Sequence, residues 1–221
     1  MSNDTEKQEN LQTMIESGVV AVIRTESSER LLKVARAIKK GGVNCIEVAM
    51  TTPNALQVIK DVTAEVEGVL IGAGTVLDAE TARSAILAGA EYLVSPTLNY
   101  DMVKMVKRYG KIVAPGTFTP TEIMDAWEAG ADIVKVFPAS RLGPKFISDV
   151  KSPLPQVSLM PTGGVSAENA SDFIRAGADV VCVGSALIDK QALERNNFNI
   201  LTENAKKLVE SVNKGKEERL A

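Results

Sequence analysis

Short, nearly continuous apolar runs recur along the chain. They are VVAVI (19–23), NCIEV (44–48), VLIGA (69–73), YLVSP (92–96), KIVAP (111–115), IVKVF (133–137), VSLMP (157–161) and VVCVG (180–184). Their starts lie 19 to 25 residues apart, which leaves room each time for one helix and two short loops. Runs apolar at almost every position suit strands covered on both faces. The intervening stretches change to helical spacing. LLKVARAIKKGG puts Leu31, Val34, Ala35 and Ile38 on one face and stops at Gly41-Gly42. PNALQVIKDV begins with Pro53 in a first turn and offers Ala55, Leu56 and Ile59. TPTEIMDAWEAG has Thr119 or Thr121 as a cap, Glu122 in its first turn and Gly130 as its stop.

A weak internal repeat runs through this pattern. Gly42, Gly89, Gly130 and Gly177 each stand just before an apolar run, 47, 41 and 47 residues apart, or two units at a time. Each ends a helix and lets the chain turn tightly into the next strand. Eight evenly spaced βα units predict an α/β protein, a (β/α)8 TIM barrel. Two extensions flank it. Residues 5–17 predict an extra N-terminal helix presenting Leu11, Met14 and Ile15, and residues 199–212 predict a C-terminal helix with Leu201, Ala205, Leu208 and Val212 on one stripe. The charged tail after Lys214 is expected to fray. The chain has no linker-like segment, so 1–221 is expected to be one domain with its barrel core over about 19–190.

Composition narrows the chemistry. The chain has 221 residues, 45% hydrophobic and 24% charged, enough apolar material for a sizeable core. Lys plus Arg is 25 and Asp plus Glu is 28, a net charge of −3, so nucleic acid is not an expected partner. There is no histidine, which excludes His bases, Ser-His and Cys-His nucleophiles and imidazole metal sites. Cys45 and Cys182 both lie inside apolar runs and read as buried, reduced thiols. The N-terminus is polar and acidic, unlike a secretory signal, and no run of about 18 apolar residues suggests a membrane span. The expected location is the cytoplasm.

In a barrel of this kind chemistry sits at the C-terminal ends of the strands, so full charges inside the runs stand out. Lys135 lies in the middle of IVKVF, sharing a face with Ile133 and Phe137. Desolvation favours the neutral amine of a lysine, the form that attacks a carbonyl to make a Schiff base. Glu47 lies in CIEVA and shares a face with Cys45 and Ala49. Without histidine it is the best general acid/base in the chain. The alternative for both is a buried Lys135–Glu47 ion pair. Thr162, Gly163 and Gly164 follow the seventh run, and Gly184 and Ser185 follow the eighth, where they are read as opening a short helix. Gly-rich turns at these two strands are where barrels commonly hold phosphate. Gly72-Ala73-Gly74-Thr75-Val76-Leu77 shares glycines with the dinucleotide fingerprint but fails at Leu77. Thr75 is either a helix cap or a hydroxyl for the substrate. Arg24, ending the first run, suits a substrate carboxylate or an ordinary surface ion pair. Pro96 sits at the same rim.

Taken together, VVAVIR, GGVNCIEVAMTTP, IGAGTVLD, AGAEYLVSP, APGTFTPTEIMDAWEAG, VKVFPA, MPTGGVSAEN and VGSALI resemble the 2-keto-3-deoxy-6-phosphogluconate / 4-hydroxy-2-oxoglutarate (KDPG/KHG) aldolases, from about Val19 to Ile188. The resemblance implies a class I aldolase, a carbon–carbon lyase. Its substrate would be a small 2-keto acid, 2-dehydro-3-deoxy-6-phosphogluconate cleaved to pyruvate and glyceraldehyde 3-phosphate, or 4-hydroxy-2-oxoglutarate cleaved to pyruvate and glyoxylate. It implies Lys135 as the Schiff-base lysine and Glu47 as the general acid/base. Thr75, Pro96 and Phe137 would surround the pyruvyl part, Arg24 would meet a carboxylate, and Gly163, Gly164, Gly184 and Ser185 would cradle phosphate. It further implies a homotrimer needing no metal and no organic cofactor. One position departs: other members carry arginine four residues after the glutamate, and this chain has Thr51. Competing readings are an aldolase for the galactonate epimer, a sugar-phosphate isomerase or epimerase using Glu47 as base, and a non-catalytic phosphosugar-binding barrel.

Overall fold

A computed structural model describes residues 2–24 and 28–220. Helix α1 (Ser2–Ser17) leads into β1 (Val19–Ile23), followed by α2 (Ser28–Lys40), β2 (Cys45–Ala49), α3 (Ala55–Glu65), β3 (Leu70–Gly74), α4 (Ala79–Leu87), β4 (Tyr92–Val94) and α5 (Tyr100–Arg108). Then come β5 (Ile112–Ala114), β6 (Gly116–Thr117), α6 (Pro120–Glu128), β7 (Val134–Val136), a single 3-10 turn at Ala139–Arg141, α7 (Gly143–Lys151), β8 (Leu159–Pro161), α8 (Ala170–Arg175), β9 (Val181–Val183), α9 (Lys190–Glu194) and α10 (Phe198–Leu220). All strand pairings are parallel. One curled sheet has the order β5-β4-β3-β2-β1-β9 and a second has β6-β7-β8, with helices packed outside. The expected single eight-stranded sheet is therefore present as a six-stranded and a three-stranded parallel sheet.

The break falls at Pro115. Proline has no N–H for a ladder, so the fifth apolar run splits into β5, which pairs with β4, and β6, which pairs with β7. Backbone contacts join the sheet margins: Asp132 N–H donates to Val113 O at 3.1 Å, Asp179 N–H to Leu159 O at 3.0 Å, and Thr162 bridges Cys182. Gly116 is fixed by crowding, because a Cβ there would collide with the Pro96 backbone. The four repeat glycines, 42, 89, 130 and 177, all have φ between 92° and 112°, the left-handed region that lets a helix turn back into a strand.

Strand alternation divides the core in two. Residues facing the helices, such as Val19, Ile46, Val48, Ile71 and Leu93, join the buried faces of the helices in the outer core. Residues on the concave inner face form a separate cluster of Val20, Cys45, Leu70, Tyr92, Val94, Ile112, Ala114, Ile133, Met160, Val180 and Cys182. Met14 of α1 closes that cluster, with Leu11 and Ile15 packed against it, as the N-terminal pattern predicted.

Three local expectations change. Helix α3 starts at Ala55, after Asn54 at φ 55°, so Pro53 stands outside it and the buried face is Ala55, Val58, Ile59 and Val62, with Leu56 exposed. The tail after Lys214 is helical to Leu220, because its charges find partners: Lys216 Nζ donates to Ile15 O at 3.2 Å, Glu218 pairs with Arg175 at 2.8 Å, and Gly215 lies against α8. Gly184–Leu187 makes one hydrogen-bonded turn, Leu187 N–H to Gly184 O at 3.0 Å, and the next helix begins only at Lys190. Helix α6 follows expectation in full. Its cap is Thr119, its box partner is Glu122, and Pro120 occupies the first turn.

Candidate active site

The inner face changes character along the strands. On five of the strands the residue two places after the apolar inner one is Glu47 on β2, Gly72 on β3, Lys135 on β7, Thr162 after β8 and Cys182 on β9. Glu47 is 2% exposed and Lys135 6% exposed, so both charges lie inside the protein. Local sequence makes the room they need. A Cβ at Gly74 would collide with the Glu47 carboxylate, and one at Gly72 would fall inside the Tyr92 ring. These two glycines, the ones shared with a dinucleotide motif, are inward positions emptied for two large neighbours.

Glu47 and Lys135 interact through their charges, yet no ion pair within 4.0 Å joins them among the described residues. Burial pushes the Glu47 carboxyl above the ordinary carboxylate range, while the Lys135 cation, the Cys182 thiol and the Arg24 guanidinium pull it the other way. The Cys182 Sγ–H donates to Glu47 Oε2 at 3.6 Å. The Lys135 Nζ lies 5.1 Å from the centre of the Phe137 ring, a cation–π distance. Thr117 Oγ1 donates to the Lys135 carbonyl at 2.9 Å and anchors the lysine backbone.

Above these charges lies a cavity of about 260 Å³. Its walls include Arg24, Phe137, Thr162, Gly163, Gly164, Gly184 and Ser185, so seven sequence candidates converge there. Gly163 and Gly164 have φ of 90° and 76°, which an L side chain rarely adopts. Asn169 pins their turn, its Oδ1 accepting from Ser166 N–H and its Nδ2 donating to Gly164 O, both at 2.9 Å. The backbone N–H groups of Gly164 and Ser185 have no acceptor among the described residues, while Gly163 N–H faces Cys182 O in the bridge between Thr162 and Cys182. Free amides converging on a cavity form an anion-binding concavity. Arg24 is exposed and makes no ion pair among the described residues.

Pro96 lines a second cavity of about 570 Å³ that shares Phe137 with the first. Thr75 lines neither. It follows β3 at φ 59°, strained for a β-branched residue, and the cap of α4 is Asp78 instead. Thr51 is exposed in the turn before α3. The sequence reading missed Cys182, Gly74 and Tyr92 as parts of this site. The available signal was parity, since 182 shares a face with Gly184, and 74 with Gly72. Tyr92 is fully buried, its hydroxyl has no partner among the described residues, and burial pushes its ionisation well upward. No cluster of three or more metal-binding side chains occurs among the described residues.

A buried amine and a buried carboxylate near the C-terminal ends of parallel strands, beneath a cavity edged with free amides, define a strand-end enzyme site in an α/β scaffold. The chain belongs to the KDPG and KHG aldolase family, whose model matches residues 11–204. It is 35% identical over 185 residues to the 2-dehydro-3-deoxy-phosphogluconate aldolase of Treponema pallidum, covering 83% of this chain and 88% of that one. It is 33% identical over 180 residues to the 2-dehydro-3-deoxy-6-phosphogalactonate aldolase of Escherichia coli, covering 80% and 88%. The KDPG aldolase of Legionella pneumophila, solved with pyruvate captured at low pH as a covalent carbinolamine intermediate, superposes with a TM-score of 0.84 at 26% identity, covering 90% of this chain and 97% of that one.

Proposed function

We propose that the protein is a class I aldolase that reversibly cleaves 2-dehydro-3-deoxy-6-phosphogluconate to pyruvate and glyceraldehyde 3-phosphate. The observation that carries this reading is the burial of Lys135 and Glu47 on one inner face, coupled but not locked in an ion pair, below the cavity of free amides. The neutral Lys135 amine adds to the C2 ketone, and loss of water gives an iminium. The Glu47 carboxylate takes the C4 hydroxyl proton, directly or through a water. The C3–C4 bond breaks, the aldehyde leaves, and the bond's electrons move into the iminium to give an enamine. Glu47 returns a proton to C3, and hydrolysis of the new iminium frees pyruvate and the amine. No redox partner enters this balance.

In this reading Phe137, Pro96 and Thr75 surround the pyruvyl part. The amides of Gly164 and Ser185, with Thr162, Gly163 and Gly184, take the phosphate. Arg24 lines the same cavity as those amides and supplies positive charge that Thr51 does not. The two sheets are read as one closed (β/α)8 barrel with an extra helix at each end, forming one domain over 1–221. The backbone contacts between their margins support this. A homotrimer and a cytoplasmic location complete the reading, on the family resemblance. No helix among the described residues is long and apolar enough to cross a membrane.

The test is borohydride reduction in the presence of pyruvate, followed by peptide mass mapping. A pyruvyl adduct on Lys135 is expected, and its absence from active enzyme overturns the reading. The similarity to a galactonate-type enzyme makes that epimer the second substrate to try. A panel of the two phosphorylated epimers, their unphosphorylated forms and 4-hydroxy-2-oxoglutarate, read by pyruvate release, ranks them.

A further inference from the structure

We propose that Cys182 is a positioning residue for Glu47: its thiol holds one carboxylate oxygen while the empty inner side of Gly74 leaves the space that the other oxygen fills. This rests on reading Glu47 as the proton carrier of aldol cleavage. Glu47 stands on β2 between two different neighbours. On one side, β3 brings Gly74 beneath Oε1, where a Cβ would collide with the carboxyl group. On the other side, beyond β1, β9 brings Cys182 Sγ to 3.6 Å from Oε2. Among the described residues this thiol is the one hydrogen-bond donor to the Glu47 side chain.

The choice of donor has a chemical consequence. Burial keeps the Cys182 thiol protonated, and the Glu47 charge reinforces this, so a hydrogen is presented to Oε2 at every working pH. A thiol is a weak donor. A hydroxyl or amide in its place would hold the negative charge more firmly and make a poorer base. An apolar side chain would leave the buried charge with no donor among the described residues. The thiol fixes the direction of the carboxylate while leaving it basic. Cys182 also bridges to Thr162, so the strand that orients Glu47 is the one that borders the amide-lined cavity.

The experiment compares pH profiles of pyruvate release from 2-dehydro-3-deoxy-6-phosphogluconate by the wild type, Cys182→Ala, Cys182→Ser, Glu47→Gln and Glu47→Gln/Cys182→Ala. Cys182→Ala is expected to lower kcat about 5- to 10-fold with KM nearly unchanged, and to move the acidic limb to higher pH. Cys182→Ser, a stronger donor, should place the limb at or below its wild-type position. In the Glu47→Gln background the Cys182→Ala loss should vanish, because the two residues act as one unit. Pyruvate trapping on Lys135 in Cys182→Ala shows that the variant is folded. Should that variant fail to fold, the Ser variant alone decides by its limb. The proposal is overturned if Glu47→Gln is crippled while Cys182→Ala follows the wild-type profile, if its loss persists undiminished in the double variant, or if the Ser limb lies above the wild-type one. Full activity in Glu47→Gln instead overturns the underlying role of Glu47, so the two failures are distinct.

Discussion

The floor and the mouth of the inner face are built on the same strands and differ in kind. At the floor stand Val20, Cys45, Leu70, Tyr92, Ile112, Ile133, Met160 and Val180, none more than 9% exposed, closed from below by Met14. Two residues further along, about 7 Å at the rise of a strand, the same positions read Val22, Glu47, Gly72, Val94, Ala114, Lys135, Thr162 and Cys182. Two more bring the chain to Arg24, Ala49, Gly74, Pro96, Gly116, Phe137, Gly164 and Gly184 at the rim. The floor is a packed core that holds the strands in register. The mouth gives up apolar burial for two charges, several glycines and free amides. The comparison shows how a small parallel α/β protein separates stability from reactivity: it changes every second residue, not the backbone.

Four substitutions break or sharpen that comparison. The largest effect is expected from Lys135→Met, which keeps volume but removes the amine: kcat/KM for pyruvate release should fall at least about 10⁴-fold. Its melting temperature should stay at or above the wild-type value, because a buried amine that makes no ion pair among the described residues is gone. A melting temperature many degrees lower would show that the mouth also carries stability.

Glu47→Gln comes next, with activity expected to fall about 10²- to 10³-fold. Its stability should depend on pH with a definite sign. Burial raises the Glu47 pKa in the folded state, so the folded protein holds the proton more tightly than the unfolded chain does. The favourable contribution is complete below the ordinary carboxylate value and is lost as pH rises through the raised one. Glu47→Gln should therefore match the wild type in acid and melt higher near neutrality, measured by calorimetry across that range.

Met14→Ala opens the floor. A loss of about 2–4 kcal/mol in chemical denaturation is expected, with kcat nearly unchanged. Asn169→Ala is the smallest: freeing the Gly164–Ser166 turn should raise KM for phosphorylated substrate about 5-fold and leave unphosphorylated substrate unaffected. A matching rise for both substrates would separate that turn from phosphate.

Much of this was legible in residue order. The apolar runs located the strands to within a residue or two, because strands buried on both faces cannot hide their composition. Leu31, Val34, Ala35 and Ile38 are all fully buried, as helical spacing requires. Period two within CIEVA and IVKVF put Glu47 and Lys135 on the inner face. Local signals misled where a partner distant in sequence decided the outcome. The charged tail was expected to fray, but Arg175 and the end of α1 hold it. Pro53 was expected to begin a helix, but the turn through Asn54 moved the start.

The sequence by itself determined the βα rhythm, the buried charges on β2 and β7, and the glycine turns after β8 and β9, since each depends on burial or backbone freedom within a few residues. Only the tertiary structure decided that Pro115 divides the strands between two sheets, that Cys182 meets Glu47 across 135 positions of chain, and that Gly72 and Gly74 leave room for Tyr92 and that same carboxylate. Those contacts depend on how far the sheet curls. Curl brings together side chains from strands that no local pattern relates.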